Sequence, residues 1–238
     1  MSVKGLAQRR PKLGVRGGAP SAVPSPRTVR LSLRDAAYEA LKHRIITCAF
    51  KPGEYINEAA VSATLCIGRT PVHQAIERLM LEGMVDVIPR KGVIVRPVSL
   101  DEIMQIIDVR LVNESYCMRL AAERANQSEI QRLSEILVSA TEWIGTRNAE
   151  QLMRLDREFH WVLARASKNS VLADCLAKLH DRSLRFWFIS LNQPNHHESV
   201  QIQHSAILAA IKNRDAAQAE QAMRSHIEAF RHNLLRGM

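Results

Sequence analysis

The chain has 238 residues, 46% hydrophobic but only 5% aromatic, which allows two modest domains and favours helix packing. Its formal net charge of +9 points to a polyanionic partner, and no segment is long and apolar enough to span a membrane. Four scattered cysteines, Cys48, Cys66, Cys117 and Cys175, lack CxxC spacing; they read as reduced thiols of a cytoplasmic protein and argue against a cysteine metal site.

Residues 1–31 carry no acid and many Arg, Lys, Pro, Gly and Ser, the composition of a disordered basic tail. They hold no apolar run of the kind a secretory signal needs.

Residues 32–97 read as a first domain. Ser32-Leu-Arg-Asp35 resembles a capping box and opens an amphipathic helix with a stripe of Ala37, Leu41, Ile45 and Ile46. Pro52-Gly53 is a turn, Tyr55-Ile56 a short strand, and Asn57 caps a second helix from Glu58 to Leu65. The tight turn Cys66-Ile67-Gly68 leads to Arg69-Thr70-Pro71, with Thr70 as the expected N-cap of a third helix. That helix carries Val72, Ala75, Ile76 and Leu79 inward and ends near Gly83. Two short helices joined this way form a helix-turn-helix. Val85–Ile88 and Val93–Val95 follow as two strands joined by Pro89-Arg90-Lys91-Gly92, a hairpin with a basic tip.

The stretch "FKPGEYINEAAVSATLCIGRTPVHQAIERLMLEGMV" and the hairpin "VIPRKGVIV" resemble the winged helix-turn-helix DNA-binding domain of the GntR family. The resemblance implies operator recognition in double-stranded DNA by Arg69, Thr70 and His73, with Arg90, Lys91 and Gly92 of the wing on the backbone or minor groove. Arg69 can fork onto guanine O6 and N7, a contact worth roughly 1–3 kcal/mol of base discrimination. Thr70 can bond a phosphate at the positive end of the helix dipole. Two departures from the family pattern stand out. Gly68 replaces a serine, removing a phosphate-binding hydroxyl, and His73 replaces a second arginine, removing a bidentate fork.

Residues 98–236 read as an all-helical second domain of six helices. Ser99-Leu-Asp-Glu102 opens a long helix to about Ala125. Ser128, Asn148, Ser170 and Asp215 are the next start signals, and Asn192–Asn195 reads as a loop holding His196 and His197 at its end. Bundle interiors are where facing side chains build ligand and metal sites. Asp156 and His160 lie four apart on one helix face among Leu152, Leu155, Phe159 and Leu163, while His204 and His226 each sit within an apolar pattern. One such histidine alone is most often a hydrogen-bonded core side chain. Together the four residues make a candidate site for a divalent transition ion such as Zn or Ni. His43, His180 and His232 read as helix-surface residues.

Residues 100–232 resemble the FCD effector domain of the FadR-like branch of the GntR family, on "DVRLVNESYCMRLAA", "DREFHWVLARASKN" and "QHSAILAAIKNRDAAQAEQAMRSHI". The resemblance implies that Asp156, His160, His204 and His226 hold the ion and that Arg110 pairs with an effector carboxylate, with Asn169, Arg182 and Arg185 as weaker pocket candidates; Arg110 also stands four residues before Glu114, so a helix ion pair is its alternative role. The expected fold class is mainly α, an N-terminal winged helix-turn-helix followed by a six-helix FCD-like bundle. The expected function is a homodimeric, cytoplasmic transcriptional regulator, by default a repressor, bound to a two-fold operator and controlled by a small organic acid at the metal. Direct sensing of the metal is an alternative. A metal-dependent hydrolase is the other, but no base with a readable motif accompanies the ion site, so an enzyme is not expected.

Overall fold

Helix α1 (Leu33–Ile46) begins where its capping signal lies: the Ser32 hydroxyl accepts the Asp35 amide at 3.1 Å. In the computed structural model, which describes Met1 and residues 31–97, 99–146, 148–190 and 196–236, with backbone alone for 187–190, this helix buries Ala37, Leu41 and Ile45 completely. The expected basic tail lies outside the described residues, apart from Met1 and Leu31. Opposite α1 lies α3 (Arg69–Leu81), whose Val72, Ala75, Ile76 and Leu79 are buried. Each full burial of a Val, Ile or Leu side chain here favours folding by about 1.5–3 kcal/mol. Between them α2 (Glu58–Leu65) starts at Asn57, whose side chain accepts from Ala59 and Ala60 at 3.0 and 3.1 Å.

Strands β1 (Tyr55–Ile56), β2 (Val85–Ile88) and β3 (Gly92–Val95) form an antiparallel sheet in the order β1-β3-β2, with Tyr55 opposite Ile94 and Val85 opposite Val95. Lys91 N–H closes the hairpin onto Ile88 C=O at 3.0 Å. Gly92, expected in the turn, is the first residue of β3. It holds φ +102°, a backbone that costs a side-chain-bearing residue about 1–3 kcal/mol.

The bundle follows: α4 (Leu100–Arg124), α5 (Gln127–Thr146), α6 (Ala149–Ala166), α7 (Ser170–Ser190), α8 (His196–Lys212) and α9 (Ala216–Arg236). Ser99, Asn148 and Asp215 cap α4, α6 and α9 as the sequence indicates. Two start signals shift by one or two residues. Asn126, not Ser128, accepts the Glu129 amide at the head of α5, and Asn169, not Ser170, accepts the Leu172 amide at the head of α7. In both cases an asparagine two or one places earlier reaches the amide with its carbonyl, and the serine falls inside the first turn. The predicted loop at 192–195 lies outside the described residues. His196 and His197, expected at its end, are the first two residues of α8. None of the described helices is long and apolar enough to cross a membrane.

A buried ionic seam joins α1 to α6 and α7. Lys42, only 4% exposed, pairs with Asp181 on α7 and with Glu82 beyond α3 at 3.1 Å. Tyr38 donates to Glu82 at 2.7 Å, and Arg157 on α6 donates to Asp181 at 2.6 Å while lying 3.6 Å from Glu39. Burial pushes the Asp181 carboxyl up, but Lys42 and Arg157 outweigh it and hold it below its ordinary value. Gly83, after α3, takes φ +72°, a left-handed conformation that favours glycine.

Candidate functional site

The face expected to read DNA is built by the turn between α2 and α3. Cys66 takes the left-handed conformation at φ 52°, and the Ser62 hydroxyl ties Ile67 C=O at 2.6 Å, which redirects the chain into α3. The helix starts one residue before its expected cap. Gly68 is the N-cap and supplies no side-chain bond, so Thr70, expected as the cap, stands in the first turn with its hydroxyl exposed. Gly68 has no hydroxyl to compete for the helix's free N–H groups, and these remain open to an anion.

Arg69 is exposed and, among the described residues, makes no ion pair. His73, one turn on, is held differently: its Nδ1 lies 3.2 Å from Glu58 and its Nε2 3.6 Å from Glu77. A base contact by His73 therefore competes with two carboxylates, whereas Arg69 has nothing to release. At the wing, Arg90 and Lys91 are both exposed, and Arg90 takes φ 66° at the tip of the turn.

The bundle gathers a second set of polar groups, all buried. Asp156 and His160 come from α6, His204 from α8 and His226 from α9. One ring nitrogen from each of His160, His204 and His226 lies within 4.8 Å of the others, and Asp156, His160 and His180 form a second such group. His204 Nε2 is 3.6 Å from one Asp156 oxygen, and His180 Nε2 is 3.3 Å from the other.

The outer atoms of two of these rings are spoken for. His160 Nδ1 lies 3.1 Å from Glu114, whose other oxygen accepts Arg110 Nε at 2.5 Å, and His226 Nδ1 lies 2.8 Å from Gln203. A carboxylate or amide oxygen on Nδ1 fixes the proton there and leaves Nε2 as the free lone pair, the arrangement that orients metal-binding imidazoles. Among the described residues, His160 Nε2 and His204 Nε2 are buried without a hydrogen-bond partner. Orphaned buried acceptors cost about 1–3 kcal/mol each, and a cation between them would offset that. The donor set, its tautomers and its unfilled lone pairs thus fit a divalent transition ion.

Electrostatics agree. Burial depresses His204 to about 3 and holds His226 well below the ordinary imidazole range, so both stay neutral, the form that binds metal. Burial pushes Asp156 up, but its bond to His180 and the nearby imidazoles outweigh this and hold it well below the usual carboxylate range. Arg110 and the His160 bond do the same for Glu114 against its own burial.

His180, expected on the helix surface, is 7% exposed and stacks on His160 with ring centroids 4.4 Å apart. The surface expectation fails because α7 is covered by bundle helices on more than one side, so a polar residue on it can still point inward. His196 is likewise buried. A sequence signal for His180 existed in Leu176 and Leu184, which lie four residues to either side of it and are buried with it.

The expected effector residues do not converge. Arg110 is buried, in contact with Glu114, and borders a small cavity of about 30 Å³ beside Asp156 and His226. Asn169 spends its side chain capping α7. Arg185 donates to the Arg96 carbonyl at 2.9 Å, at the junction with the reading head, and Arg182 pairs with Glu102.

Residues 33–95 match the model of the "Bacterial regulatory proteins, gntR family", and residues 105–229 match the FCD domain. The chain is 30% identical to the Nta operon transcriptional regulator of Aminobacter aminovorans, across 75% of this chain and 83% of that one. It is 25% identical to the HTH-type transcriptional repressor RspR of Escherichia coli K12, across 80% and 84%. Among solved structures, Escherichia coli McbR/YncC superposes with a TM-score of 0.79 at 21% identity, covering 87% of this chain and 99% of that one, a likeness of fold.

Proposed function

The chain belongs to the GntR family of bacterial regulatory proteins, in the FadR-like branch that carries an FCD domain, and on that premise we propose that it is a homodimeric repressor whose operator affinity is set by a small organic acid bound in the bundle. It is a transcriptional regulator and not an enzyme. Residues 32–97 form its reading head and residues 98–236 its effector domain. The observation that carries the DNA half is the exposed Arg69, without an ion pair among the described residues, at the open N-terminus of a helix whose opposite face is buried. Two such heads related by a dimer axis would read a two-fold operator. An outward stripe on α4, with Val109, Val112 and Tyr116 all exposed, supports the pairing of two copies.

An ion in the bundle would be held by Asp156, His160, His204 and His226, and would supply a Lewis-acidic anchor for the effector carboxylate. Glu114 and Gln203 keep two of the rings in the required tautomer. Arg110 is already committed to Glu114, so its part is to hold Glu114 ionised against His160.

The test is a fluorescence-anisotropy titration of the full chain on duplexes from its own promoter region. Tight, specific binding is expected, and Arg69→Ala is expected to leave only weak, strongly salt-sensitive binding. Unchanged affinity in that variant would overturn the assignment. For the bundle, Asp156→Ala is expected to lower Zn or Ni content and effector response together, read by elemental analysis and by anisotropy. Full occupancy in that variant would remove the four-ligand centre.

A further inference from the structure

The cavity beside the imidazoles, about 30 Å³, has room for an ion and a water-sized group. A second cavity of about 310 Å³ opens between α4, α6 and α7 and meets the first only through His160 and His180. That volume lies at the lower end of the range of small-molecule pockets, roughly 300–1,000 Å³. Cys117, Met118, Ala164 and Leu176 give it apolar walls, and Trp161, still 55% exposed, flanks its entrance with an aromatic face. Arg154 and Arg157 are its two cations.

Three acids also line it, and charge accounting decides which ligand it suits. Each acid is paired with a cation from outside the lining: Glu114 with Arg110 at 2.5 Å, Glu158 with Arg132 at 2.5 Å, and Asp181 with Lys42. Arg154 is held only loosely, 3.0 Å from Gln151 and 3.9 Å from Glu158. Arg157 shares Asp181 with Lys42, so it can turn toward another anion without stranding that carboxylate.

We propose that this cavity is a second binding site, separate from the metal centre, for an aromatic carboxylate. Its ring lies against Trp161 and the apolar walls, and its carboxylate lies between Arg154 and Arg157. Binding there draws Arg157 from Asp181 and Glu39, and so loosens α1, the helix that carries Lys42 and packs on α3. The coupling rests on the regulator reading above; the binding does not.

The probe is 1-naphthoate, followed by tryptophan fluorescence and calorimetry on the full chain. Quenching is expected in metal-loaded and chelator-stripped protein alike, and is expected to be largely lost in Trp161→Phe. Arg154→Gln, which leaves the seam intact, and Arg157→Gln are each expected to weaken binding about tenfold, the effect of one charge-assisted hydrogen bond. 1-Naphthylmethanol and 1-naphthylmethylamine are expected to bind more weakly. No binding of millimolar 1-naphthoate, equal binding of the amine, or binding that requires the metal would overturn the site. In parallel, 1-naphthoate is expected to change operator affinity several-fold in the wild type and not in Arg157→Gln; an unchanged wild-type affinity overturns the coupling. Operator binding without any ligand is read in the same titration. A chain that never bound DNA would therefore be told apart from a cavity that never bound the acid.

Discussion

The reading head and the bundle use polar residues in opposite ways. At the head of α3, Arg69 is exposed with no ion pair among the described residues and Gly68 leaves the helix N–H groups open, so this end can meet an anion and contributes little to stability. In the bundle, Arg110, Glu114, Asp156, His160, His204 and His226 are all buried, and each depends on its neighbours for satisfaction. A site can therefore be built from a few residues adjacent in the chain if it faces solvent. Inside the protein it needs a chain of supporting bonds, here running from Arg110 through Glu114 to His160.

The largest expected effect that would test this contrast is Glu114→Ala. It strands Arg110 and frees the His160 ring. A loss of about 3–5 kcal/mol in urea unfolding is expected, together with weaker metal binding. By contrast, Arg69→Ala is expected to leave unfolding within about 0.5 kcal/mol of wild type while removing specific operator binding. If the two variants lost equal stability, the contrast would fail.

Asp181 probes the seam between the two regions through pH. Its carboxyl titrates below the ordinary range because Lys42 and Arg157 outweigh its burial. Since the folded value lies below the unfolded one of about 3.9, the stabilisation is complete above that value and is lost as pH falls through the lowered one. Acid unfolding of Asp181→Asn should therefore be less steep below about pH 4 than that of the wild type, measured by tryptophan fluorescence. The smallest effect belongs to Asn169→Ala. Loss of the α7 cap should cost about 1 kcal/mol and leave metal content unchanged, and a change in metal content would reopen its place as a pocket residue.

Much of this was legible in the chain. The Pro52-Gly53 turn, the Arg69-Thr70-Pro71 start and the basic hairpin tip are contiguous, and their local chemistry is enough to place them. The Asp156–His160 pair was readable because four residues make one helix turn, so both must share a face. His180 was only faintly readable: Leu176 and Leu184, four residues to either side, mark an inward face, but nothing local says that this face meets His160. The cap at Asn169 was missed for a smaller reason: two adjacent residues could both serve, and only backbone geometry chose between them.

The sequence by itself determined the elements, their order and the helix-turn-helix motif, because hydrophobic period, caps and turns act over a few residues. The tertiary structure decided which histidines meet and that Lys42 crosses to Asp181. Those pairings join residues on different helices or depend on which face each helix buries. Burial and satisfaction are properties of the packed whole, and no local window of the chain contains them.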